Sequence, residues 1–252
     1  MNLAHQPNQQ LTADPVYRKL YRTFFALCIV LAPLILSLWF SLCPTGANDA
    51  ACPDMGSTLA VLAAFRAMNP QLMQLFLFFS LIIPYLYALS YVGLGLLSIK
   101  RSPWLATLGM VCGFAAGIVW AAIADSIMML FSMAHNGLNP LFVTVEQHYY
   151  ASWLTLTFGA IWLFGHLFGY VLLGIALLRA RVIPRWAAWL LIVSAPLMGP
   201  IAYGIGVGLL QILAFVLVFI ASVPAALALF RRRDEPETTK EPAAEELAST
   251  GI

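Results

Sequence analysis

Charge is what this chain has least of. Only 10% of its 252 residues are Asp, Glu, Lys or Arg, against roughly 25% in an ordinary soluble domain. With 62% hydrophobic residues and a mean hydropathy of +0.86, a soluble fold of this length has no way to hide the apolar surface, and lipid is the expected solvent. Nucleic-acid binding is excluded by the same scarcity, because a net charge of +2 offers no basic footprint. The three lysines, Lys19, Lys100 and Lys240, all lie outside the apolar runs, so a retinal Schiff base has no anchor. No HExxH, no phosphate-binding glycine loop and no GxSxG with a workable triad occurs. His148 and His166 are 18 residues apart on one expected helix, about 27 Å at 1.5 Å per residue, so they do not clamp one haem. No metal site and no cofactor are expected, and an enzyme or redox protein ranks last among the function classes.

Cysteine is also scarce. Cys28 and Cys112 fall inside apolar runs, whereas Cys43 and Cys52 flank the short segment CPTGANDAAC. That segment has no Lys or Arg and reads as extracytoplasmic, where two thiols can oxidise. A Cys43–Cys52 disulfide is the expectation.

What charge there is falls in an order. The basic residues form clusters: Arg18, Lys19 and Arg22; Lys100 and Arg101; Arg179, Arg181 and Arg185; Arg231 to Arg233, with Lys240 beyond. Long apolar stretches separate them. Basic loops remain on the cytoplasmic side, and six crossings with both termini inside put every basic residue but Arg66 on that side. The expected fold is therefore all-α, a bundle of six transmembrane helices. Residues 1–17 form a flexible cytoplasmic arm, 18–233 the membrane domain and 234–252 a disordered acidic tail with six carboxylates. The expected spans are residues 24–42, 70–98, 104–133, 152–178, 186–198 and 205–230. Residues 57–69 read as a short helix on the outer surface, and 135–150 as an outer loop.

Two cytoplasmic hairpins resemble each other. YVGLGLLSIKRSPWLATLGMV (residues 91–111) and YVLLGIALLRARVIPRWAAWLLIV (170–193) share Tyr-Val, Leu-Gly, a basic turn, then Pro with Trp close behind. Gly95 corresponds to Gly174, Pro103 to Pro184 and Trp104 to Trp186. Either the halves are duplicated about an axis along the membrane normal, or membrane turns have converged on the same residue types.

The second hairpin, FGAIWLFGHLFGYVLLGIALLRARVIPRWAAWLLIVSAPL (residues 158–197), carries Phe158, Gly159, His166, Gly169, Tyr170, Gly174, Arg179, Pro184 and Arg185. This pattern resembles uncharacterised bacterial multi-span membrane proteins grouped as domains of unknown function. The resemblance implies a helical bundle of about six spans in a bacterial cytoplasmic (plasma) membrane. It implies no reaction and no substrate.

Ionisable groups inside spans cost about 2.5–3.5 kcal/mol on insertion scales, so Asp125 and His166 stand out. Both are expected to face the bundle. With Arg66, Glu146 and His148 they make a candidate outward-facing polar pocket for a small molecule or lipid. The bland readings are an interhelical hydrogen bond for Asp125 and His166, a snorkelling side chain for Arg66, and a solvated interface belt for EQHYY. Gly109, Gly113 and Gly117, four apart, form a packing face within the bundle or across a homodimer. Besides pocket binding or transport, a non-catalytic subunit that assembles with other membrane proteins remains open. Membrane lipids are the expected partner, with a homodimer or a membrane-protein partner through Gly109, Gly113 and Gly117 as a further option.

Overall fold

The structure, a computed structural model, describes residues 15–42, 58–137, 139–202 and 208–231. These form eight α-helices and one π-helical segment. The helices are α1 (Pro15–Leu42), α2 (Thr58–Ala67), α3 (Pro70–Ser98), α4 (Pro103–His135), α5 (Leu141–Ala151), α6 (Trp153–Ala180), α7 (Arg185–Pro196) and α8 (Gly208–Arg231); the π segment, Leu197–Ile201, continues α7. Among the described residues there is no strand.

Five helices are long and apolar enough to cross a membrane: α1, α3, α4, α6 and α8. The sixth expected span is shorter. Arg185–Gly199 is apolar but falls below the crossing length, and its last turn widens into the π segment around Gly199 and Pro200. The expected break at that Gly-Pro pair is thus a change of helix type.

The chain sets its own helix starts. Asn69 caps α3, its Oδ1 accepting from the Gln71 and Leu72 amides at 2.9 and 3.4 Å, with Pro70 in the first turn. Ser152 caps α6 through Thr155 N–H at 3.2 Å. Pro at a first helical position has no amide to waste there. Two sequence expectations are corrected here. Helix α1 begins at Pro15, so residues 15–17 are helical where the arm was expected. Residues 141–151 are helical where an outer loop was expected; after Pro140 they contain no Gly or Pro to break a helix.

Packing follows a ring in which α1 lies beside α3, α3 beside α4, α4 beside α6, α6 beside α7, α7 beside α8, and α8 beside α1. Contacts between residues fix the directions. A Cβ at Gly93 of α3 would meet Ile29 of α1 at 2.9 Å, while Trp39 at the other end of α1 donates to Ser80 Oγ at 2.7 Å. The two helices are therefore antiparallel. Phe40 stacks on Phe215 at 5.1 Å, which runs α8 antiparallel to α1. The start of α1, the α3–α4 turn, the α6–α7 turn and the end of α8 consequently share one end of the bundle. There Arg101 donates to the Ala180 carbonyl at 2.6 Å and ties one turn to the other. Among the described residues, every Lys and Arg except Arg66 lies at this end.

Small residues allow the close approach. A Cβ at Gly117 would lie 2.6 Å from the Ala88 amide nitrogen, and one at Gly165 2.7 Å from the Cys112 carbonyl oxygen. Gly109 and Gly113 are filled by Leu173 and Tyr91. The face considered for a homodimer is thus occupied by α3 and α6 of the same chain.

The hairpin similarity extends to contacts. A Cβ at Gly95 would run into Met110, and one at Gly174 would meet Ile192 at 2.6 Å. Met110 and Ile192 are matched by the same offset that matches Trp104 with Trp186. Equivalent glycines therefore receive equivalent side chains, which convergence of turn sequences alone does not require.

Candidate functional site

Helices α3 and α6 run parallel and touch each other across the ring, and each turns two ring-bearing polar residues inward, one helical turn apart. These are Tyr87 and Tyr91 on α3, and His166 and Tyr170 on α6, all at 2% exposure or less. Spacing of four residues puts each pair on one face. His166 stands 14 residues from the end of α6 at Ala180, about 21 Å at 1.5 Å per residue and thus deep in ~30 Å of hydrocarbon.

Tyr91 Oη lies 3.0 Å from His166 Nδ1. Tyr170 donates to Tyr87 Oη at 3.0 Å, and Tyr87 Oη faces the Met198 sulfur at 3.8 Å, from the π segment. The offset that matches Gly95 with Gly174 also matches Tyr87 with His166 and Tyr91 with Tyr170. The two hydrogen bonds are therefore the same bond made twice about a local two-fold relation, with a histidine in one copy where the other has tyrosine.

Aromatic rings enclose this cluster. Trp162 meets the His166 ring at 5.3 Å and Trp120 at 5.8 Å; Trp120 in turn meets Trp39 at 5.3 Å. Two buried nitrogens here have no partner: His166 Nε2 and Trp120 Nε1. If Tyr91 donates to Nδ1, Nε2 carries an unsatisfied proton; if Nδ1 donates, Nε2 presents an unsatisfied lone pair. In either tautomer the outer nitrogen can bind one more group.

Of the expected pocket residues, Arg66, Asp125, Glu146 and His148 lie on α2, α4 and α5, and α2 packs on both of the others at the end of the bundle away from the basic turns. Arg66 is exposed on α2, whose Leu62 and Phe65 are the residues that bury. Asp125 is exposed too, which corrects the expectation that it faces the bundle. It is 22 residues into α4 from Pro103, about 33 Å along the axis, more than the ~30 Å hydrocarbon thickness, so its carboxylate needs no buried partner. It acts on Tyr149 of α5: burial first, then the Asp125 charge, push the Tyr149 phenol above its ordinary value, against a lowering hydrogen bond from Thr155. His148 is exposed and its Nδ1 lies 2.8 Å from the Thr144 carbonyl of its own helix. Glu146 lies in α5. Among the expected residues whose side chains are described, His166 alone is buried.

Sequence reasoning missed the three tyrosines. The signal was present as Tyr-x3-Tyr and His-x3-Tyr at matching places in the two similar hairpins. Cys43 and Cys52 lie outside the described residues; among those described, Cys28 and Cys112 are free thiols. No family model, no curated protein and no solved structure matches this chain.

Proposed function

We propose that this chain is a multi-pass protein that crosses a bacterial cytoplasmic membrane six times, with both termini in the cytoplasm, and binds a small molecule or lipid. The pocket opens outward, with His166 as its floor and Arg66, Asp125, Glu146 and His148 at its rim. Membership of the group that residues 158–197 resemble is part of this proposal. One observation carries the binding reading: His166 Nε2 is buried and unpartnered in a lipid-solvated bundle, where each polar atom without a partner costs stability. Trp120 Nε1, two rings away, is a second such atom.

The gathering of basic residues at one end supports this orientation, since basic loops favour the cytoplasmic side. The sixth crossing is α7 with its π segment. Reporter fusions after Lys100, Arg181 and Arg231 should score inside, and one after Asn136 outside. An outside signal from any of the first three breaks the six-crossing arrangement.

Binding is tested by mass spectrometry of what is released when purified protein is denatured. A compound present with wild type and lost from folded His166→Leu supports the pocket. Identical extracts favour the second reading, a non-catalytic assembly subunit. That reading draws on the dense aromatic interior, in which Trp39 stacks on Phe76 at 4.9 Å and Phe40 on Phe215 at 5.1 Å.

A further inference from the structure

The end of the bundle that carries the arginines has two clefts flanking the start of α7. One, of about 520 Å³, is lined by Leu178, Arg179, Arg181, Arg185 and Trp189. The other, of about 720 Å³, lies between α7 and α8 and is lined almost wholly by apolar side chains, including Trp186, Ile220, Pro224 and Leu227, with Arg231. It follows α8 from Phe219 to Arg231, about 18 Å at 1.5 Å per residue. That is the length and character of an acyl chain, with a guanidinium at one end.

The chain does not neutralise these arginines from its described residues. The described carboxylates are Asp125 and Glu146 alone. Asp125 sits far along α4, and α5, which holds Glu146, packs on the opposite end with α2 and α6. Val182, Pro184 and Trp186 line the apolar groove, while Arg181 and Arg185, their neighbours in sequence, line the other cleft. The two clefts thus flank one turn, which lends residues to both. Trp186 and Trp189 are 52% and 54% exposed, and an indole so exposed on a membrane protein sits at the headgroup level.

We propose that this end of the bundle holds one acidic phospholipid, with an acyl chain in the α7–α8 groove and its phosphate between Arg231 and the arginines of the α6–α7 turn. Charge selects the headgroup, because guanidinium groups pair with phosphate oxygens in two-point contacts. The groove selects a lipid over a free anion. This site is independent of the His166 pocket.

The test is native mass spectrometry of the full chain in detergent, offered phosphatidylglycerol or phosphatidylcholine with identical acyl chains. Wild type should retain one phosphatidylglycerol about tenfold or more above phosphatidylcholine. R185Q/R231Q should fall to the phosphatidylcholine level, while K19Q/K100Q, which removes the same charge from the same end outside the clefts, should keep the preference. Ile220→Trp, which fills the groove without changing charge, should lower retention of phosphatidylglycerol in protein that remains monodisperse. Equal losses from both double variants would leave only general leaflet attraction and overturn the site. So would an unchanged Ile220→Trp, or complete displacement of the lipid by inorganic phosphate. If lipid binds only after residues 234–252 are deleted, the acidic tail is the occupant and the proposal fails.

Discussion

Tyr91 and His166 meet at 3.0 Å in the centre of the bundle, and the meeting is repeated by Tyr87 and Tyr170. Each hydrogen bond joins α3 to α6, so the pair fixes the height of one helix against the other. Interhelical hydrogen bonds in membranes average only about 0.6 kcal/mol. The pair therefore specifies register more than it adds stability.

Tyr91→Phe should consequently cost about 0.5–2 kcal/mol, leaving His166 Nδ1 without its partner. His166→Phe should remove the same interaction, and the double variant should cost less than the sum of the two. A double-mutant cycle on reversible unfolding in mild detergent measures this. Strict additivity would show that the two side chains do not interact.

Glycine positions divide sharply. A Cβ at Gly117 would lie 2.6–2.7 Å from backbone atoms of Ala88, which have no rotamer to yield, whereas at Gly159 nothing stands within 4 Å. Gly117→Ala should destabilise the bundle by about 1–3 kcal/mol. Gly159→Ala should be neutral or stabilising by up to about 1 kcal/mol, since Ala is the better helix former. Thermal unfolding of the two variants side by side makes the comparison.

Asp125 should be felt in alkaline solution. The folded state raises the Tyr149 pKa, so above the ordinary tyrosine value the unfolded chain gives up a proton that the folded chain keeps. Stability is therefore lost as pH rises above about 10 and on through the raised folded pKa. Asp125→Asn removes one of the two raising causes and should reduce that loss without changing behaviour at neutral pH. Unfolding midpoints at about pH 8 and about pH 10.5 test it; an equal alkaline loss in both proteins would dissociate Asp125 from Tyr149.

Five of the six expected spans were legible because length and hydropathy decide them, and the basic turns were legible because charge does. Which side of each helix faces inward was not. In lipid the outer face is as apolar as the inner one, so periodicity carries no direction. Phe78 and Leu81 are exposed on the same helix that buries Phe76 and Ile83, and nothing in their chemistry separates them. Asp125 was read as inward because a carboxylate in hydrocarbon is costly; its distance along α4 removes that cost. The tyrosines were passed over because the same residue commonly marks the interface, and only their pairing with His166 across two helices distinguishes them. The helix at 141–151 was hidden by its mixed composition.

The bond from Arg101 to the Ala180 carbonyl has a mechanical consequence. It staples the α3–α4 hairpin to the α6–α7 hairpin at a single end. Any rocking of one hairpin against the other is held at that staple and again at the two mid-bundle bonds, so its amplitude grows toward the far end, where α2 touches α5. A lever of this kind, with a fixed fulcrum on one side of the bilayer, would deliver its largest displacement around Arg66 and Tyr149 and its smallest beside the arginines.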